Sequence, residues 1–130
     1  MTEGKGNIED FIPQRVPFVF IDTIEEHSPG FSRTCFTVRE DCVLVTDSCL
    51  PLAGLMENAA QTCAVQAGNR IGYIGAVKQM EASRCPRTGE TLTTEARVIQ
   101  EVLNISLFEC RTFIGNEPIA TTTLKIAIME

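Results

Sequence analysis

Apolar and polar positions alternate with a period of two over most of this chain, and one stretch breaks that rhythm. Phe18–Ile24 is aromatic and β-branched, stops at Ser28-Pro29-Gly30, and is followed by the alternating run Phe31–Val38, a pattern that predicts a hairpin. A short apolar piece, Cys42–Val45, and a polar Thr46-Asp47-Ser48 break come next. Leu50–Gly68 is then apolar without alternation. Pro51 suits a first helical turn and Gly68-Asn69 a stop, so one helix of about eighteen residues, roughly 27 Å long, is predicted. Alternation returns after Gly75 in Val77–Cys85, Thr91–Ile105, Ser106–Ile114 and Pro118–Met129, with turns at Pro86–Gly89 and Gly115–Glu117. Ile8–Ile12 suits one helical turn before Pro13, and the polar Met1–Asn7 reads as a flexible leader.

The helical stretch carries Ala53, Leu55, Met56, Ala59, Ala60, Cys63, Ala64, Val65 and Ala67, which leaves little polar surface for a helix on the outside of a domain. It is expected to be buried on most sides, its small residues letting an antiparallel sheet close around it. The expected class is therefore α+β: a single domain over residues 1–130, with a curved antiparallel sheet around a long central helix.

Charge narrows the function. Eleven Lys+Arg against seventeen Asp+Glu give a net charge of −6, which opposes nucleic acid and anionic lipid as partners. Leu50–Gly68 reaches about the length a bilayer requires, but Glu57, Asn58, Gln61 and Gln66 make it costly in hydrocarbon. No membrane role and a cytoplasmic location are expected. Cys35, Cys42, Cys49, Cys63, Cys85 and Cys110 are scattered through the apolar elements and read as reduced core thiols. Without a C-x-x-C pair, and with His27 alone in a Glu-Glu-His-Ser-Pro-Gly turn, no metal or other cofactor is expected.

Three segments carry a family likeness. Ile12-Pro13-Gln14-Arg15-Val16-Pro17 followed by an apolar run and Asp22, then Pro51-Leu52-Ala53-Gly54-Leu55-Met56-Glu57-Asn58-Ala59-Ala60-Gln61, then Cys85-Pro86-Arg87-Thr88-Gly89-Glu90-Thr91-Leu92, stand in order along the chain. Together they resemble the hot-dog-fold β-hydroxyacyl-acyl-carrier-protein dehydratases. Gln14 replaces that family's histidine in the first motif, and Leu52 its glycine in the second. The His-Phe-Pro-Gly loop that carries the family's catalytic histidine is missing; an ungapped count back from Glu57 puts Val43 at that position.

The resemblance implies that Glu57 and Gln61, one helical turn apart, form the catalytic pair, and that the helix start at Ala53, Gly54 and Leu55 holds a thioester carbonyl. Dehydration needs one group to take an α-proton and another to protonate the leaving hydroxyl, which a lone carboxylate does poorly. Arg70, Arg84 and Arg87 are candidates for docking the acidic face of an acyl carrier protein; coenzyme A is the alternative carrier. His27 reads as a solvated turn residue and Cys49 as a packing residue. Three readings stand open. The first is a degenerate or weakly active dehydratase-like subunit of fatty-acid or polyene-type biosynthesis, forming a homodimer, a higher oligomer, or a heterodimer with an active homologue. The second is an active enzyme using Glu57 without histidine, either a dehydratase with an unusual acid or a thioesterase. The third is a non-catalytic dimerisation module.

Overall fold

The computed structural model describes residues 8–68 and 72–128; the leader 1–7 and Arg70 lie outside them. Among the described residues six strands form one antiparallel sheet: β1 (Thr23–Ser28), β2 (Phe31–Thr37), β3 (Gly72–Ala82), β4 (Thr91–Val102), β5 (Ile105–Ile114) and β6 (Glu117–Ile128). Their spatial order is β1-β2-β4-β5-β6-β3, which makes β1 and β3 the two edges. The single α-helix among the described residues, α1 (Leu52–Ala64), is extended by a 3-10 turn (Val65–Ala67) and touches every strand from β2 to β6. This is the α+β hot-dog arrangement.

Alternation decides which side of each strand meets the helix. Thr34 and Phe36 of β2, Leu92, Thr94 and Ala96 of β4, Phe108 and Cys110 of β5, and Leu124 and Ile126 of β6 are buried on the inner face. The core is continuous along α1. Ala59, Cys63 and Ala67 pack against Ala96, Phe108, Leu124 and Ile126, while Leu50 and Leu55 join Phe20, Phe36, Leu92 and Ile119. Beyond these, Ile12, Ile21 and Ile24 close over Val65.

Two sequence expectations change. The first strand starts at Thr23, not Phe18, because Phe18–Asp22 spends much of its backbone hydrogen bonding outside the sheet: Phe20 and the Phe18 carbonyl bond to side chains of α1. The helix is shorter than eighteen residues, ending in a 3-10 turn with Gly68 at φ +64°, where a residue with a Cβ would be strained. As expected, α1 is buried on most sides, with one flank left open. Gly54, Leu55, Asn58, Ala59, Gln61, Thr62 and Cys63 are buried, whereas Leu52 and Ala53 are exposed and Met56, Glu57, Ala60 and Ala64 half-buried. That spacing marks one open flank. No helix among the described residues is long and apolar enough to cross a membrane.

Candidate active site

Three buried or half-buried polar side chains of α1 and its 3-10 extension recur at four-residue spacing: Asn58, Thr62 and Gln66. All three are tied to the sheet or its hairpin. Asn58 donates to the Phe20 carbonyl (2.7 Å) and accepts from Thr94 (2.6 Å), whose hydroxyl also meets Thr112. The Thr62 hydroxyl bonds back to the Asn58 carbonyl and to Thr34, each at 2.8 Å. Gln66 fastens the β1–β2 hairpin by accepting from the Gly30 N–H (3.0 Å) and donating to the Phe31 carbonyl (2.9 Å) and Ser32 (2.6 Å). Buried polar groups need such partners, and here the partners fix the helix against the sheet. The sequence reading missed Asn58 and Thr62. Their four-residue recurrence in an apolar helix was the available signal.

Gln61 lies beside this ladder and serves two masters. Its amide oxygen accepts from Phe20 N–H at 2.7 Å, while its amide nitrogen donates to the Phe18 carbonyl at 2.9 Å and to Glu57 Oε1 at 3.1 Å. The proposed Glu57–Gln61 contact therefore exists, with Gln61 fully buried and held by the loop as well. Glu57 is half-buried on the open flank, together with Ala53, Met56, Ala60 and Ala64.

The helix start is more constrained than the motif suggests. The N–H groups of Gly54 and Leu55 both donate to the Pro51 carbonyl, at 2.9 and 3.1 Å, so of the three residues assigned to a thioester only Ala53 has an N–H that Pro51 does not engage. Gly54 has a packing reason of its own: a Cβ there would stand 2.6 Å from Leu50 Cγ. Glycine is what lets Leu50 seat against the helix.

The arginines differ. Arg84 forks onto Glu90 at 2.9 and 3.0 Å, with Glu117 at 3.7 Å. Arg84, and then the Arg87 backbone N–H, pull the Glu90 carboxyl down from 4.5 to about 2. The exposed Arg87 side chain instead reaches Cys49 Sγ at 3.5 Å. His27 belongs to β1 rather than a turn, half-buried with its ring edge-on to Phe11 at 5.7 Å. Val43, where the family histidine would fall, is 46% exposed and carries no proton-transfer group. Among the described residues no cluster of His, Cys, Asp and Glu suits a metal ion.

Residues 6–129 match the ApeP-like family model, described as ApeP dehydratase. The chain belongs to the ApeP-like dehydratase family. Among curated relatives of this ApeP-like chain, the 3-hydroxyacyl-[acyl-carrier-protein] dehydratase FabZ of Levilactobacillus brevis is 24% identical, the match covering 95% of this chain and 91% of the relative. FabZ of Clostridioides difficile is 25% identical, with 95% of each covered. Among solved structures, the dehydratase heterocomplex ApeI:P from Xenorhabdus doucetiae superposes with a TM-score of 0.86 at 17% identity, covering 95% of the ApeP-like chain and 91% of that one. At that identity the superposition establishes the fold.

Proposed function

We propose that this chain is an acyl-thioester-holding subunit of a β-hydroxyacyl-thioester dehydratase, in fatty-acid or polyene-type biosynthesis, weakly active alone and completed by a partner subunit. The observation that carries this reading is Glu57: a carboxylate on the open flank of α1, beside an amide that is already spoken for by Phe18 and Phe20. Glu57 serves as one proton-transfer group. The second must come from whatever covers that flank. The names of the relatives, which act on 3-hydroxyacyl-[acyl-carrier-protein], and the heterocomplex among the solved structures support a paired dehydratase.

The sheet offers a place for that partner. β3 is an eleven-residue edge with exposed Tyr73, Ile74 and Val77, whereas the other edge, β1, has six residues and the charges of Glu25 and Glu26. Long apolar edges invite pairing and short charged ones discourage it. A homologous subunit, or a second copy, adding its own edge to β3 continues the sheet. For the carrier, Arg87 is the better-placed cation of the Arg84–Arg87 pair, since Arg84 is committed to Glu90; Arg70 remains a further candidate.

The test is turnover of 3-hydroxyacyl and 2-enoyl thioesters by the chain alone and mixed with a histidine-bearing hot-dog homologue. Little turnover alone, turnover in the pair, and loss of pair activity in Glu57→Gln with acyl binding retained are expected. Equal rates with and without the homologue overturn the paired reading. Thiol release without hydration points to a thioesterase, and absence of acyl binding leaves only a dimerisation module.

A further inference from the structure

The six cysteines are not equivalent. Cys63 and Cys110 touch in the core, sulfur to sulfur at 3.4 Å, but each is 1% exposed, and burial pushes the Cys63 thiol well up. Cys35 is raised to about 11 by burial and by Glu25, with which it shares a 2.9 Å hydrogen bond. Cys42 packs against the core. Thiols held neutral or out of reach react slowly with oxidants, because the thiolate is the nucleophile.

Cys49 and Cys85 meet around the backbone of Leu50. Asp47 and Ser48 both have positive φ, 53° and 61°, and form the centre of a tight turn that pairs Thr46 with Cys49. On its other side Cys49 pairs with Arg87, flanked by Thr88 N–H to Ser48 carbonyl at 3.0 Å and Leu50 N–H to Pro86 carbonyl at 2.8 Å. Cys49 is thus held from both sides, half-buried, with the Arg87 guanidinium on its sulfur at 3.5 Å. Cys85, two residues before Arg87, is exposed, and its Sγ donates to the Leu50 carbonyl at 2.8 Å. Burial, and then the neighbouring Cys49 thiol, raise the Cys85 pKa, while Arg87 lowers it. Cys85 lies between the end of β3 and the start of β4, and its sulfur reaches the backbone of the residue next to Cys49, which makes the two thiols neighbours.

We propose that Cys49 and Cys85 are a peroxide-responsive thiol pair that closes into a disulfide at the start of α1. The Cys49 thiolate attacks a hydroperoxide oxygen; the O–O bond breaks, the other oxygen leaves as water or alcohol, and Cys49 becomes a sulfenic acid. The Cys85 thiol then attacks that sulfur, loses its proton, and expels the hydroxyl as water. Overall two thiols and one hydroperoxide give one disulfide, one water and one molecule of water or alcohol, the peroxide being the oxidant. The product ties the residue just before Leu50-Pro51 to the β3–β4 connection and immobilises the approach to the helix start. Arg87 acts as a positioning residue, holding the Cys49 sulfur.

The experiment is a hydrogen peroxide titration of the folded full-length chain, with thiol blocking and peptide mapping by mass spectrometry. A single intramolecular Cys49–Cys85 link with loss of two hydrogens, reversed by dithiothreitol, is expected. Cys49→Ser and Cys85→Ser each abolish the link, Cys85→Ser leaves a trappable sulfenic acid on Cys49, and Arg87→Ala slows closure by about tenfold while circular dichroism is unchanged. First oxidation at any other cysteine overturns the proposal. So does over-oxidation of Cys49 with Cys85 still a free thiol, or an Arg87→Ala variant that closes at the normal rate.

Discussion

Replacing Gln61 by Met separates two roles that one side chain combines. Methionine has nearly the same length and leaves no cavity, but it removes the acceptor for Phe20 N–H at 2.7 Å and the donor to the Phe18 carbonyl at 2.9 Å. The Phe20 N–H bond is buried and has no water to turn to; an unmet buried group costs about 1–3 kcal/mol, and the partly buried Phe18 carbonyl adds about 1 kcal/mol. The expected loss is about 2–4 kcal/mol, on the order of 10 °C in Tm for a chain of this size. Urea unfolding at fixed protein concentration measures it, because association shifts apparent stability. Glu57→Gln is the control: it alters one 3.1 Å contact on an open flank and should change stability by less than about 1 kcal/mol. A Gln61→Met protein with unchanged stability and altered acyl turnover would refute the clamp and leave Gln61 acting through Glu57 alone.

Other expectations follow from particular contacts. Gly54→Ala drives a methyl into Leu50 and should destabilise by about 1–3 kcal/mol in urea unfolding, a loss that Leu50→Ala combined with Gly54→Ala does not simply add to. Leu103 is 94% exposed at φ 56° in the β4–β5 turn, so Leu103→Gly should raise stability by about 1 kcal/mol; a lower Tm would contradict the strain argument. Glu90 has a carboxyl lowered from 4.5 to about 2, so its pairing with Arg84 stabilises the fold above pH 4.5 and is lost as pH falls toward 2. The urea midpoints of wild type and Glu90→Gln should accordingly converge across that window, by a modest amount because the pair is open to solvent. A gap that stays constant down to pH 2 assigns the difference to something other than the charge.

The alternating runs after Gly75 were legible because period two with one face buried is a strong constraint, and β4, β5 and β6 lie close to where that pattern put them. Phe18–Asp22 was not legible as what it is. Its composition suits a strand, and only the amides of Asn58 and Gln61, some forty residues on, divert its backbone from the sheet. Which flank of α1 stays open is likewise not legible: Ala53, Met56, Ala60 and Ala64 are small or apolar like the buried residues, and nothing local distinguishes a flank facing the core from one left open. Glu57 and Gln61 were legible through their one-turn spacing. The engagement of Arg84 by Glu90, and of Arg87 by Cys49, depends on a turn geometry that spacing alone does not encode.

Asn58, Thr62 and Gln66 act as an index pin for the helix. Rotating α1 by one position, or sliding it by one turn, would strand several amides and hydroxyls at once, so the azimuth at which Glu57 emerges is set by residues that never meet a substrate. Substitutions along the outward stripe can then retune chemistry while the rod keeps its orientation.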